Sequence, residues 1–311
     1  MSATRHTSPV VVAVDGSERS AGAVRYAMRE ARIRGCSVRL VHVAPTSLPE
    51  GGLWPSAARD LEDLRSSGER ILDRAVAEAR AEASDVRFES LLGRGARVPE
   101  LAAAAAEGGL MVLGRETRRG VERLVTGATT AGVAARAVVP VVVVPADWRE
   151  SHHGRIVVGI KSFVSDGELL ACAYSMASAR HAVLRLVHAV EVPDLAADLG
   201  IADSYAGESV STGTRTLEAV AREWRDAFPD VEVETTVVVG RPADVLVDAA
   251  ADGDVLMLAR PHRDLQHLAR LGRTPRAVLG VSDTPVEVVP SKREPTTASL
   301  VLESSGEILK D

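Results

Sequence analysis

The chain has 311 residues, enough for about two domains, and a composition of 46% apolar but only 3% aromatic residues suits helices packed on a valine-rich sheet. Its formal net charge of −6 argues against a nonspecific nucleic-acid binder, which needs a basic surface. Two cysteines are too few for a disulfide framework and favour a reducing, cytoplasmic location. The sequence has neither the apolar core of a signal peptide nor a run of about 18–20 apolar residues, the length needed to span a bilayer.

Strands and helices are predicted to alternate through the first half. Residues 10–14 form a continuous apolar run, which is typical of a strand buried on both faces of a parallel sheet. Asp15 and Ser17 compete as the cap of the following helix, which ends at Gly35. The later predicted elements are strands at 37–43, 86–92, 110–113 and 141–144, a long helix at 57–84, an alanine-rich helix within 93–109, and a helix at 129–137.

The second half of the chain repeats the first. A period this long indicates a duplicated domain rather than a solenoid of short repeats. Five segments return in the same order, displaced by 145 to 147 positions: VVVAVDG at 10–16 as IVVGIKS at 156–162, LVHV at 40–43 as LVHA at 186–189, Gly93–Arg94 as Gly240–Arg241, LMVLG at 110–114 as VLMLA at 255–259, and PVVV at 140–143 as PVEV at 285–288.

We therefore predict two domains, at 9–146 and 155–290, followed by a disordered tail at 291–311. Strands that alternate with helices of this length imply right-handed crossovers. Each domain is accordingly expected to be an α/β unit with a five-stranded parallel sheet and helices on both faces.

A candidate ligand site lies at the carboxyl ends of the strands, where the strand order of an open parallel sheet reverses. Three segments of the first half are expected to meet there: 13–17, 41–43 and 114–130. Backbone N–H groups of the helix start at 127–129 would form a phosphate cradle, and Gly114 would let the backbone approach a ligand closely. By itself, this glycine spacing fits a tight turn equally well.

Two histidines occupy equivalent positions on the second strand of each repeat, His42 and His188. A catalytic base needs a nearby nucleophile or metal, and the sequence contains no GxSxG, Walker A or HExxH motif. We therefore expect both side chains to be core histidines bonded to the backbone.

The motifs together resemble the universal stress protein family in its tandem, two-domain form, over residues 10–290. The shared features are an apolar strand ending in Asp15, the LVHV strand, the MVLG strand and the PVVVV strand. In the family the fourth strand is followed by Gly-x2-Gly-x9-Gly-Ser/Thr, of which this chain keeps the first and third glycines, Gly114 and Gly127. The resemblance implies Rossmann-like domains of the adenine nucleotide alpha hydrolase-like type. It also implies that the fifth strands, 141–144 and 286–289, pair edge to edge within the chain as an intramolecular pseudo-dimer.

ATP-binding members of this family hold adenine and ribose near the first two strand ends and the phosphates on the glycine loop. The resemblance therefore implies ATP as cofactor, alone or with magnesium. Thr117 stands where the family has its second glycine, and Ala128 stands where it has Ser or Thr. The residues of the implied site are Ala13, Val14, Asp15, Val41, Gly114, Thr117, Gly127, Ala128 and Thr129.

Basic side chains near both candidate sites leave alternatives open. Arg115, Arg118, Arg119 and Arg123 either compensate for the missing hydroxyl as phosphate partners or form a solvated basic loop. In the second half Lys161 replaces Asp15, Ala259 replaces Gly114 and Arg273 replaces Ala128, so ATP is expected in the first half only. Five basic residues there either form a site for another anion or belong to a domain kept for packing: Lys161, Arg241, Arg260, His262 and Arg273.

The leading functional hypothesis is a cytoplasmic stress-response protein that binds ATP in its first domain and acts through unidentified protein partners. It is expected to have no enzymatic activity, no nucleic-acid or membrane partner and no metal-ligating residues of its own. Further homodimerisation stays open. The alternative is an interaction or scaffold protein of the same fold with no nucleotide. A nucleotide-dependent enzyme is a third class, but it would need paired carboxylates or a metal cluster, and Asp15 is the only carboxylate at the first site.

Overall fold

The computed structural model describes residues 8–46, 57–115, 127–151, 153–161, 166–260 and 271–291. Both halves alternate strands and helices as predicted, and in the first half the bounds differ from the predicted ones by at most about two residues. The first half contains β1 (Val10–Ala13), a 3-10 turn (Glu18–Ser20), α1 (Ala21–Arg34), β2 (Val38–Ala44), α2 (Ala57–Glu82), β3 (Phe88–Arg94), α3 (Arg97–Ala106), β4 (Leu110–Arg115), α4 (Ala128–Arg136) and β5 (Val141–Pro145).

The second half has the same order of strands and helices and includes a short helix, α6, whose counterpart in the first half would fall at 47–56, outside the described residues. It contains β6 (Arg155–Gly159), α5 (Gly167–Arg180), β7 (Val183–Val190), α6 (Asp194–Asp198), α7 (Ala202–Arg225), β8 (Val233–Val239), α8 (Pro242–Ala250), β9 (Val255–Arg260), α9 (Arg273–Val281) and β10 (Val286–Pro290). Across the described ranges, we find no helix with both the length and the apolar character required for crossing a membrane.

All ten strands form one continuous sheet in the order β3-β2-β1-β4-β5-β10-β9-β6-β7-β8. Within each half, neighbouring strands are parallel. The halves join through the antiparallel pair β5–β10, in which Val143 lies opposite Val286 and Val141 opposite Val288. The predicted α/β class and the predicted meeting of the fifth strands are therefore confirmed, and this pairing protects two strand edges that would otherwise be exposed.

The structure corrects one landmark of the repeat. Gly95 and Gly240 both have positive φ. They occupy equivalent turns in the two halves, because each donates its backbone N–H to the carbonyl at the end of the neighbouring strand. Gly95 donates to Ala44 at 3.0 Å, and Gly240 donates to Val190 at 2.9 Å. The sequence match of Gly93 with Gly240 was therefore wrong by two residues. A turn that needs positive φ selects the glycine, and the two glycines of the first half cannot be distinguished by spacing alone.

Apolar packing is continuous on one face of the sheet and divided on the other. On the first face, α3, α4, α8 and α9 cover a single core that includes residues of both halves. On the second face, α1 and α2 cover one core, while α5 and α7 cover another. The two cores of the second face are thus separated at the junction between the halves.

Charged residues lie between these two cores, in what we call the junction cluster: Glu30, Arg34, Arg180 and Glu287. The Arg180 guanidinium donates to Glu30, and Arg34 Nε lies 3.3 Å from the other carboxylate oxygen of Glu30. Glu30 and Glu287 are each only 2% exposed. On the opposite strand, the residue paired with Glu287 is Val142. The duplicated halves therefore meet through a polar contact that is not itself symmetric.

Candidate functional site

A cavity of about 330 Å³ opens at the carboxyl ends of β1, β2 and β4 and at the start of α4. The sheet order β2-β1-β4 reverses the direction of strand addition at β1, which is where ligands of such sheets bind. Ala128 begins α4 beside the cavity but does not line it, and Thr117 lies outside the described residues. The predicted site residues that line the cavity are Ala13, Val14, Asp15, Val41, Gly114, Gly127 and Thr129.

Sequence reasoning missed part of the cavity wall. Arg19 and Ser20 follow Asp15 in the turn before α1, so their proximity to the strand end was available as a signal. Leu113 ends the predicted fourth strand, while Arg97 and Leu101 belong to the helix after the edge strand. Gly280 comes from the second half, and no local pattern points to it. The missed lining residues are Arg19, Ser20, Arg97, Leu101, Leu113 and Gly280.

Asp15 is held at the cavity by its own turn. Its carboxylate accepts hydrogen bonds from the Ser17 backbone N–H at 3.0 Å and from the Ser17 hydroxyl at 2.5 Å. Burial acts to raise the pKa of Asp15, but the hydrogen bonds from Ser17 and the charge of Arg19 outweigh it, so this pKa lies below its ordinary value. Neither predicted cap begins α1, whose N-cap residue is Ser20; Ser17 instead caps the 3-10 turn before it, where its hydroxyl accepts from the Arg19 N–H at 3.3 Å. Asp15 is thus an ionised carboxylate at neutral pH.

Gly114 is required by the chain's own packing. A Cβ atom on this residue would lie 2.2 Å from the Arg19 carbonyl oxygen, far inside van der Waals contact. The prediction was that this glycine admits a ligand, and the structure gives a different reason. The small size of Gly114 lets the 3-10 turn pack against β4. Because Gly114 and Arg19 both line the cavity, this close packing also shapes the site.

The start of α4 faces the cavity with backbone donors. Gly127 is the N-cap residue and provides no side-chain capping hydrogen bond. The first N–H groups of a helix lack intrahelical acceptors, and they carry the positive end of the helix dipole. Gly127, Thr129 and Thr130 all line the cavity. This geometry is that of an anion-binding helix N-terminus.

The charged side chains that line the cavity are predominantly cationic. Among the described residues, Arg19, Arg97 and Arg115 line it together with one carboxylate, that of Asp15. Together with the dipole of α4 they give a positive local field, although the whole chain carries a formal charge of −6. The site is therefore suited to a ligand with several negative charges.

Arg115 has an unexpected partner. Its guanidinium donates to the Gly280 carbonyl at 3.3 Å and also to the Ser282 carbonyl, at the end of α9 in the second half. These contacts contradict the solvated-loop alternative for Arg115, which also lines the cavity. Arg118, Arg119 and Arg123 lie outside the described residues.

Arg260 makes the equivalent contact on the other side of the junction. It donates to the Ala134 and Ala137 carbonyls, at 3.0 and 2.7 Å, at the end of α4. The side chain is buried, with 8% exposure. Arg260 therefore holds the two halves together, which agrees with the packing alternative for this residue rather than with a second anion site.

The two repeat histidines are confirmed as backbone-bonded residues. His42 Nδ1 lies 2.8 Å from the Val14 carbonyl oxygen, and His188 Nδ1 lies 2.9 Å from the Ile160 carbonyl oxygen. These contacts tie β2 to the end of β1, and β7 to the end of β6. Within the described ranges, no three or more His, Cys, Asp or Glu side chains are grouped as a metal site would require.

The second half differs at the position equivalent to Asp15. Lys161 is exposed, and its backbone N–H donates to the Asp166 carboxylate at 3.0 Å. Arg273 is the first residue of α9, where the first half has Ala128. His262 lies outside the described residues. The charge at the strand end is thus reversed, and a long cationic side chain stands at the start of the helix.

The sequence is similar to those of known proteins. A family model described as the universal stress protein family matches residues 6–145 and 152–290. Universal stress protein Rv1996 of Mycobacterium tuberculosis is 28% identical over 95% of this chain and 99% of that protein. Universal stress protein Rv2005c of the same organism is 29% identical over 93% of this chain and 99% of its own length.

Solved structures extend the likeness to the fold. A universal stress protein from Archaeoglobus fulgidus DSM 4304 gives a TM-score of 0.67 at 17% identity, covering 90% of this chain and 98% of that one. A functionally unknown protein, PA1789 from Pseudomonas aeruginosa PAO1, gives a TM-score of 0.56 at 15% identity, covering 99% of both chains.

Proposed function

Since the chain belongs to the universal stress protein family, we propose that it binds one adenine nucleotide, ATP, in the first-half cavity and acts in the cytoplasm through partner proteins during stress. One observation carries the proposal. A single cavity at the strand-order reversal brings together an ionised carboxylate, three arginines and an uncapped helix N-terminus. Reduced cysteines at 36 and 172 support the cytoplasmic location.

The parts of a nucleotide suit different walls of the cavity. Ala13, Val14 and Val41 offer an apolar wall for a planar base. The Asp15 carboxylate offers acceptors for sugar hydroxyl groups, and its lowered pKa keeps it ionised at neutral pH. The N–H groups at the start of α4 suit phosphate oxygens. Magnesium would enter as the counter-ion of the phosphates, since the described part of the cavity has one carboxylate.

Restriction of binding to the first half is supported by the residues of the second. Lys161 would place a positive charge where the first half has its acceptor for hydroxyl groups. The Arg273 side chain at the start of α9 is far bulkier than the Ala128 side chain at the start of α4. We propose that the second half serves as a docking and packing domain.

Isothermal titration of the full chain with ATP and magnesium tests the proposal. We expect about one site per chain. Asp15→Asn, which keeps the shape of the side chain, is expected to weaken binding by about ten- to hundredfold, the effect of losing one charged hydrogen bond. The matched variant Lys161→Gln, at the equivalent position of the second half, is expected to bind as the wild type does.

Each other outcome contradicts part of the proposal. Two sites per chain, or loss of binding in Lys161→Gln, would show that the second half binds nucleotide. The absence of both binding heat and a thermal shift at millimolar ATP would favour the interaction or scaffold protein. ATP turnover that disappears in Asp15→Ala would show an enzyme instead of a binding protein.

A further inference from the structure

The cavity of the first half has a wall that belongs to the second half. Gly280 lines it, although it lies in the last turn of α9. The end of a helix presents carbonyl groups without intrahelical partners and carries a partial negative charge. Such a wall would repel the phosphates of a ligand bound in the cavity.

Arg115 lies between that wall and the cavity. It lines the cavity from the end of β4, and its guanidinium donates to the Gly280 and Ser282 carbonyls at the end of α9. A cation at a helix C-terminus neutralises the partial charge of the carbonyls. One guanidinium therefore serves both as a cationic part of the cavity wall and as a link to the opposite half.

We propose that Arg115 is a charge-selectivity and coupling residue, through which the affinity of the first-half cavity for polyphosphate ligands depends on the docking of α9. This inference rests on the proposed nucleotide site. Anionic ligands bind while the Arg115 guanidinium neutralises the partial negative charge of the α9 carbonyls. Uncharged ligands of the same shape do not need this neutralisation. By thermodynamic linkage, a bound polyphosphate stabilises the end of α9 to the same extent that docked α9 strengthens binding.

The pseudo-symmetric residue supplies a matched control. Arg260 makes the equivalent contact with the carbonyls at the end of α4 and is buried at the junction, but it does not line the cavity. Arg260→Gln removes the same kind of contact between the halves. It therefore reports the cost of loosening the junction without changing the charge at the site.

The experiment compares ATP with adenosine, by titration, in the wild type and three variants of the full chain. We expect Arg115→Gln to weaken ATP binding by about tenfold or more, which is the loss expected for a charged hydrogen bond. Adenosine binding is expected to weaken by less than about twofold. Arg115→Lys keeps the charge and is expected to retain most of the preference for ATP. In Arg260→Gln the ratio of the two affinities is expected to stay at the wild-type value.

Hydrogen exchange of the α9 amides provides the second readout. ATP is expected to slow exchange at 278–282 in the wild type but not in Arg115→Gln, whereas adenosine is expected to have no such effect in either protein. If the wild type binds ATP but Arg115→Gln keeps the wild-type ratio of affinities, or if α9 exchange is unchanged by ATP, the coupling inference is overturned while the nucleotide site stands. If the wild type binds no nucleotide, both are overturned.

Discussion

Glu287→Gln is expected to stabilise the protein at alkaline pH and to reduce the dependence of its stability on pH. Glu287 lies on β10 at the centre of the sheet and is 2% exposed. Among the described residues, its Oε2 atom has no hydrogen-bond partner. Burial raises the pKa of this carboxyl group to about 7. The positive charges of Arg34 and Arg180 act to lower this pKa, and the negative charge of Glu30 acts to raise it.

The magnitude follows from the difference between the folded and unfolded states. A carboxyl group whose pKa rises from 4.5 to about 7 on folding disfavours the folded state by about 3 kcal/mol once it is ionised. Because the folded state keeps a proton that the unfolded state releases, stability falls as pH rises from about 4.5 to about 7 and is level above that. Glutamine has no such proton. The variant is therefore expected to gain up to about 3 kcal/mol over the wild type at pH 8, and to be close to it near pH 4.5.

Urea unfolding at several values between pH 4.5 and pH 8 measures this difference directly. Glu208→Gln, an exposed carboxylate on α7, is the control and is expected to change the free energy of unfolding by less than about 0.5 kcal/mol. The reasoning would be refuted if Glu287→Gln were less stable than the wild type at pH 8. That result would mean that attraction to Arg34 and Arg180 exceeds the cost of burying the carboxylate.

Two further predictions concern backbone positions and are tested by chemical unfolding. His181 ends α5 with φ of 51°, and Gly35 occupies the equivalent position at the end of α1 with φ of 64°. Because this left-handed conformation favours glycine, His181→Gly is expected to stabilise the protein by about 0.5–1 kcal/mol and Gly35→Ala to destabilise it by about as much. Destabilisation by His181→Gly would contradict this expectation. Gly114→Ala is expected to cost about 1–3 kcal/mol, because its Cβ would meet the Arg19 carbonyl oxygen at 2.2 Å. The control is Gly127→Ala, which should change stability little, since among the described residues its Cβ would meet one atom, Thr130 Oγ1, at 3.8 Å. Equal stability of the two glycine variants would show that the 3-10 turn moves away freely.

Much of the candidate site could be predicted because its residues sit at strand ends. Asp15 and Val41 reach the cavity because parallel strands end at a common edge, which the order of apolar runs already implies. The backbone bond of His42 was likewise predictable, since no catalytic motif accompanied it. The partner of Arg115 was not, because Gly280 lies 165 positions away and no spacing rule connects residues in opposite halves.

Apolar runs and turn residues were enough to predict the strands and helices, their duplication and the edge of the sheet at which the cavity lies. Apolar periodicity and turn residues act over a few neighbours along the chain, and a repeated pattern folds into a repeated unit. Only the tertiary structure decided how Gly114, Arg115 and Glu287 are used. Their surroundings come from elements distant in sequence, so steric contact, helix-end carbonyls and burial act on them only once the two halves are packed against each other.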